Sequence, residues 1–411
     1  MPWKETCAVD QRMRFVLEFC RGEYSMARLC RMFGISRRVG YKWLNRYRLE
    51  GVEGLKDRPR GPRCHPNQIA EYLEQSLLAA RRSHPTWGPK KLRAWLDRHE
   101  PLISWPAPST IGEILRRHGL TVPRRRRRRV PPQTEPFVGC DSPNSVWCAD
   151  LKGWFRTGDG SRCDPLTISD AFSRYLFRSQ SLTETGCETV RPLFEAVFRE
   201  YGLPWAIRTD NGPPFASRGV AGLSRLSVWW VKLGIVPERI DRGCPEQNGR
   251  HERMHLTLKI ETASPPARTL RGQQRRFDAF RRRFNEDRPH EALEMATPAS
   301  VYRPSPRPYP ERLWDVSYPD GHEVRRVKAN GVFIWRNRGV FLGEALGGEL
   351  VGLQPIDDRY WRVWFSKVEL GIFDSGLYRL LTSSQARRGG LKSASVRAGS
   401  FRCAPGAGPD G

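Results

Sequence analysis

Apolar residues recur at helical spacing through the first 55 positions of the chain, and a strand-like texture takes over from Asn144. The first stretch predicts helices over about 9–21, 25–33 and 37–49, with Ser25 and Ser36 as N-caps and Gly34 in the turn between the last two. In the third of these, Val39, Trp43 and Tyr47 fall at i, i+4 and i+8 and face the bundle. Arg37, Arg38, Tyr41, Lys42 and Asn45 then point outward, where a recognition helix meets the DNA major groove. The Pro, Arg and Gly-rich run from Asp57 to Arg63 ends this pattern and reads as an extended linker. Three more helices follow at about 67–82, 88–98 and 109–118, with Trp87-Gly88-Pro89 opening the second and Ser109 capping the third.

From Asn144 the pattern predicts strands at 146–154, 165–169, 175–182, 205–209 and 236–240, interleaved with helices at 184–201, 222–233, 247–262 and 270–285. Such an order makes a mixed sheet with helices on both faces. Beyond Pro310, short runs at 323–328, 331–336, 339–343, 349–354, 360–366 and 367–373 carry turn signals at Asn330-Gly331 and Gly347-Gly348, which suggests a small β-barrel. The expected architecture is therefore multidomain: all-α helix-turn-helix units at 1–56 and 67–120, an α/β core at 140–310 and a C-terminal barrel at 311–382. Linkers at 57–66 and 121–139 join the first three, and a disordered tail covers 383–411.

Charge adds a partner to this picture. The 411 residues carry a formal net charge of +26, of which +16 lies within residues 1–139. A polyanion is the natural counterpart, so double-stranded DNA is the expected ligand and the N-terminal units its principal grip. Six consecutive arginines, Arg124, Arg125, Arg126, Arg127, Arg128 and Arg129, cannot pack together and read as a tether lying along a phosphate backbone. The ten cysteines are scattered singles without zinc spacing, so neither zinc nor a disulfide framework is expected. No apolar run approaches membrane-spanning length and no signal-peptide core follows Met1, which points to a cytoplasmic protein with no membrane partner.

Three carboxylates carry the candidate chemistry. Asp150 lies inside a strand pattern in Trp147-Cys148-Ala149-Asp150, Asp210 ends another in Arg208-Thr209-Asp210-Asn211-Gly212, and Glu252 sits on a helix in Asn248-Gly249-Arg250-His251-Glu252-Arg253. Converging, they would form an oxygen-only site suited to Mg²⁺, with Mn²⁺ as a possible substitute. Two such ions support phosphoryl transfer. Asp170, in Ser169-Asp170-Ala171-Phe172-Ser173-Arg174, reads instead as a turn residue pairing with Ser173 or Arg174.

These stretches, with Pro213-Pro214-Phe215, Pro245-Glu246-Gln247 and Arg288-Pro289-His290-Glu291-Ala292-Leu293, resemble the catalytic core of integrase-type DDE transposases. With the N-terminal helices, the chain up to about residue 380 is similar to bacterial insertion-sequence transposases of the retroviral-integrase superfamily. The resemblance implies an RNase H-like core, Asp150, Asp210 and Glu252 as metal-binding catalytic residues, and a homo-oligomer assembled on DNA. It also implies cleavage at the ends of a mobile element and transfer of its 3′-hydroxyls to target DNA. The family's usual spacing would select Glu246, which encloses 35 residues with Asp210, over Glu252, which encloses 41. Glu246 lies beside a proline ahead of the helix. Glu252 lies one turn inside it and heads a face with His255, Leu256 and Lys259, and a glycine-rich insertion at 218–223 accommodates the longer interval. Arg250, Arg253 and Lys259 are expected to meet phosphates beside the scissile bond. Alternatives are a DNA-binding protein with an inactive core and an RNase H-like nuclease.

Overall fold

Ser25 and Ser36 act as the sequence suggests: their hydroxyls accept from the Arg28 and Val39 N–H groups at 3.4 and 3.3 Å. The computed structural model describes residues 7–58, 68–121, 140–151, 153–240, 249–382 and 385–386; Arg124 to Arg129, Glu246 and nearly all of the 383–411 tail lie outside them. α1 (Ala8–Cys20), α2 (Met26–Met32) and α3 (Arg37–Glu50) enclose Phe15, Val16, Leu29, Cys30, Trp43 and Leu44. α3 leaves Arg37, Arg38, Tyr41, Lys42 and Asn45 exposed. Arg12 braces this bundle, with its guanidinium 3.8 Å from the Trp43 ring centroid and donating to the Leu55 carbonyl at 2.7 Å. These helices belong to one compact unit, Met1–Ala70, and the remainder of the chain belongs to a second, Glu71–Gly411.

The second unit begins with α4 (Glu71–Ser83), α5 (Pro89–His99) and α6 (Pro108–Arg117), which bury Leu77, Leu78, Leu92, Leu96, Ile111, Ile114 and Leu115. Gly88 caps α5 and Pro89 opens it. Ser109 does not cap α6: Ala107 is the N-cap and Pro108 is the first helical residue, because proline's fixed φ presets the start and its missing N–H costs nothing there.

The central sheet runs β2-β3-β1-β5-β6, with β4 also on β3. Its strands are β1 (Val146–Leu151), β2 (Phe155–Arg156), β3 (Arg162–Asp170), β4 (Leu176–Leu182), β5 (Ala206–Thr209) and β6 (Val236–Arg239). β1 pairs antiparallel with β3 and parallel with β5. Alternation along these strands separates two faces. Trp147, Ala149, Leu166, Ile168 and Ile207 meet α7 (Cys187–Tyr201) and α8 (Arg225–Lys232) through Phe194, Phe198, Trp229 and Trp230. Complete burial of such side chains stabilises by about 1.5–3 kcal/mol each. On the opposite face, α9 (Gly249–Thr262) and α10 (Leu270–Glu286) bring Met254, Leu258, Phe277 and Phe280 against Cys163 and Leu176.

The C-terminal strands do not close into the expected barrel. β7 (Glu323–Arg326), β10 (Leu350–Pro355), β11 (Tyr360–Phe365), β12 (Val368–Asp374) and β13 (Arg379–Leu380) form an open sheet in the order β13-β12-β11-β10-β7. β8 (Val332–Trp335) and β9 (Arg338–Phe341) form a separate hairpin. A barrel needs its outer strands to share a ladder. Here the two sheets meet through Phe333, Trp335, Val340, Val351, Val363 and Phe373, and Val228 and Val231 of α8 complete the same cluster. Among the described residues no helix is long and apolar enough to cross a membrane.

Gly40 lies on the α3 face pressed against α1 and α2, where a Cβ would stand 2.7 Å from Cys30 Sγ and 3.0 Å from Phe15 Cζ. Gly40→Ala should therefore destabilise the first unit by about 1–3 kcal/mol through overpacking. Thermal melting of the full chain should show an early transition that the parent lacks, and an unchanged profile would refute this packing.

Candidate active site

β1 carries Asp150 and β5 leads directly into Asp210, at the same end of two neighbouring interior strands. Their parallel register pairs Val146 with Ala206, Trp147 with Ile207 and Cys148 with Arg208. Carried two residues further, it sets Asp150 level with Asp210, on strands spaced about 4.8 Å apart. Parity places both on the face of Val146, Cys148 and Ala206, where His255 of α9 approaches Asp150. Asp210 is the first residue beyond β5. Burial pushes its carboxyl above the ordinary range, against the opposing effect of the Gly212 N–H, which donates to Oδ1 at 3.2 Å. A side chain at Gly212 would place its Cβ 3.0 Å from Asp210 Oδ2. The Asn211 amide donates to the Ile240 carbonyl at 2.9 Å and ties this turn to the end of β6.

Glu252 and Arg253 are exposed on the first turns of α9, and Lys259 is exposed in its last turn. Arg250 has helical backbone, and its side chain lies outside the described residues. His255 does not share the face of Glu252. It is buried with His251 against β3, while Leu256 is 57% exposed. The helix turns its polar-looking His residues inward because the strand beneath offers hydroxyls. Thr167 Oγ1 lies 2.8 Å from His251 Nε2 and 2.6 Å from His255 Nε2. Ser169 Oγ lies 3.1 Å from His251 Nδ1, and His255 Nδ1 lies 3.4 Å from Asp150 Oδ2. Asp170 has the turn role expected of it, accepting from the Ser173 N–H and hydroxyl and from the Asn144 N–H at 2.7, 2.6 and 2.8 Å.

Among the described residues, Asp150, His251 and His255 are the group whose ligand atoms lie within 4.8 Å of one another, and neither Asp210 nor Glu252 belongs to it. The aspartate pair nonetheless fits a hard divalent cation. Both offer carboxylate oxygens at the same end of two neighbouring strands, and the desolvated Asp210 carboxylate is the kind of group a cation compensates. His251, Thr167 and Ser169 had no place among the expected site residues. Their signal lies in two patterns: histidines at i and i+4, and polar residues alternating with Leu166 and Ile168 along a buried strand.

Several known domains and proteins are similar to this chain. A helix-turn-helix domain matches residues 11–63 and a homeodomain-like domain matches residues 39–115. An integrase core domain matches residues 141–245, and a second integrase core description matches residues 233–298. An uncharacterized 31.7 kDa protein of insertion element IS407 from Burkholderia multivorans is 28% identical over 57% of this chain and 82% of its own length. A 39.2 kDa protein of insertion element IS476 from Xanthomonas euvesicatoria is 27% identical over 57% of this chain and 65% of its own. The solved HTLV-2 integrase catalytic core domain in complex with magnesium aligns at a TM-score of 0.30 and 19% identity, over 40% of this chain and 99% of that one. The chain thus carries an integrase core over residues 141–298. Its helix-turn-helix domains precede that core, and proteins of two insertion elements are similar to it.

The Asp210 carboxyl is half-buried and held above its ordinary range by desolvation, so its neutral isostere should relieve part of that cost at neutral pH. Asp210→Asn is expected to raise the melting temperature in chelator, by about 2–4 °C for each ~1 kcal/mol regained. It should also reduce the stabilisation that added Mg²⁺ gives the parent. Equal melting in chelator and an intact Mg²⁺ response would remove Asp210 from the cation site.

Proposed function

We propose that the chain is an insertion-sequence transposase that binds the terminal repeats of its element through the N-terminal helical units and catalyses metal-dependent DNA end cleavage and strand transfer. Asp150, Asp210 and Glu252 are the residues assigned to hold two Mg²⁺ ions, with Mn²⁺ able to substitute. Asp150 near the end of β1 and Asp210 directly after β5, the parallel neighbour of β1, both inside the segment that matches an integrase core, carry this reading. Bound there, the ions supply activation of the attacking oxygen and stabilisation of the leaving oxygen at phosphorus. The chain's own residues orient the reactants. Arg250, Arg253 and Lys259 on α9 neutralise phosphates beside the scissile bond, and the exposed Arg37, Arg38, Tyr41 and Lys42 of α3 read base edges and phosphates of the end. Arg124 to Arg129 follow the backbone between recognition and catalysis. We further propose that the active form is a homo-oligomer on DNA, working in the bacterial cytoplasm.

The test uses duplexes bearing the terminal inverted repeats that flank the gene. Asp150→Asn, Asp210→Asn and Glu252→Gln should each lower cleavage and strand transfer by at least ~10²-fold, since metal-ion charge stabilisation amounts to several kcal/mol, while end binding stays intact. Glu246→Gln should remain near normal. Activity in Glu252→Gln with loss in Glu246→Gln would reverse the assignment of the glutamate. Cleavage without strand transfer by the parent chain would favour a nuclease, and neither activity would favour an inactive copy.

DNA recognition has its own readout. Arg37→Ala or Arg38→Ala should cost ~1–3 kcal/mol of discrimination between end and scrambled sequence where these side chains reach guanines. Replacing Arg124 to Arg129 with serine should weaken binding to every sequence and flatten its dependence on salt, because up to six phosphate contacts are lost. An unchanged salt slope would exclude the arginine run from the interface.

A further inference from the structure

We infer that Ser169, His251, Thr167 and His255 form a one-directional hydrogen-bond chain whose last imidazole faces Asp150 across 3.4 Å, and that His255 is a positioning residue that fixes the orientation of the catalytic carboxylate. The inference rests on the reading of Asp150 given above. β1–β3 pairing sets Thr167 opposite Asp150 and Ser169 opposite Cys148, so the two hydroxyls share the face on which Asp150 stands. α9 lays His251 and His255, buried at 4% and 1% exposure, directly over them.

For neutral imidazoles, proton counting sets the direction. The carboxylate of Asp150 can only accept, so the His255 Nδ1 that faces it at 3.4 Å carries the hydrogen. A neutral ring protonated there has its lone pair on Nε2, which takes the Thr167 hydroxyl proton across 2.6 Å. Thr167 Oγ1 has one proton, so towards the second imidazole it accepts, and His251 Nε2 is the donor across 2.8 Å. His251 Nδ1 is then a lone pair, filled by the Ser169 hydroxyl at 3.1 Å. The weaker option for Thr167, donation to the Asp150 carbonyl at 3.4 Å, would force His255 Nε2 to donate and turn the Nδ1 lone pair of a neutral ring towards the carboxylate. Reversing the whole chain has the same fault.

The chain also explains the grouping of Asp150, His251 and His255 without a metal among them. All four ring nitrogens already face a hydroxyl or the carboxylate. A nitrogen-seeking cation would have to displace those partners. Partners of this kind hold a ligating group in one rotation, and their removal commonly lowers metal affinity or activity 10-fold or more.

The experiment uses the full chain labelled with ¹⁵N-histidine, with ring signals assigned through His251→Gln and His255→Asn. Ring-nitrogen shifts in metal-free buffer should report Nδ1–H for His255 and Nε2–H for His251. The opposite tautomer of His255 would overturn the proposal. In strand transfer, His255→Asn keeps an N–H at the Nδ1 position and should work at a Mg²⁺ concentration close to the parent's. His255→Leu and His255→Gln lack that donor and should need about 10-fold more Mg²⁺ for half-maximal rate. Thr167→Val should shift towards them, and Thr167→Ser should not. Equal Mg²⁺ midpoints for His255→Leu and His255→Asn would also overturn the proposal, as would stoichiometric Zn²⁺ binding that His251→Gln removes. The two readings fail separately: undiminished activity in Asp150→Asn removes the catalytic assignment, and the tautomer measurement stands or falls without it.

Discussion

The pairing of β1 with an antiparallel neighbour on one side and a parallel one on the other is the constraint on which the rest of the core depends. Antiparallel pairing with β3 puts Thr167 and Ser169 beside Asp150 and Cys148, and parallel pairing with β5 draws Asp210 level with Asp150. A slip of one residue in either ladder would send these polar side chains into the aromatic layer around Trp147, Phe194, Phe198 and Trp230. That layer holds the register, since every one of those side chains is fully buried.

α9 works as a two-sided element over this sheet. Its inner side combines the apolar contacts of Met254 and Leu258 with the two histidines, while its outer side carries Glu252, Arg253 and Lys259. Glu261, near its end, accepts from the Thr86 hydroxyl at 2.6 Å and from the Arg288 guanidinium at 3.1 Å. The second helical unit is thereby anchored to the helix that carries a catalytic candidate. Arg288 is itself largely buried, so either partner alone would leave a costly charge.

The C-terminal sheets attach to the other side of the core. Val228 and Val231 of α8 belong to their apolar cluster, and Lys232 reaches Glu349 at 2.9 Å. This anchorage accounts for the open arrangement of the strands. A sheet that can cover its apolar face with a hairpin and a helix needs no ladder between its outermost strands.

Much of this was legible in the sequence because it depends on local rules. Helix starts at Ser25 and Ser36, the outward basic face of α3, the strand at Trp147 and the turn at Asp170 follow from capping, periodicity and side-chain chemistry within a few residues. The three carboxylates were visible as motifs, and a resemblance joined them. What the sequence left undetermined concerns partners distant along the chain. Whether His255 turns to the side of Glu252 or away from it is decided by hydroxyls 82 to 88 residues away on β3. Whether six short strands close into a barrel is decided by the apolar surface of α8. Periodicity specifies which residues share a face, and only the tertiary structure supplies what that face meets.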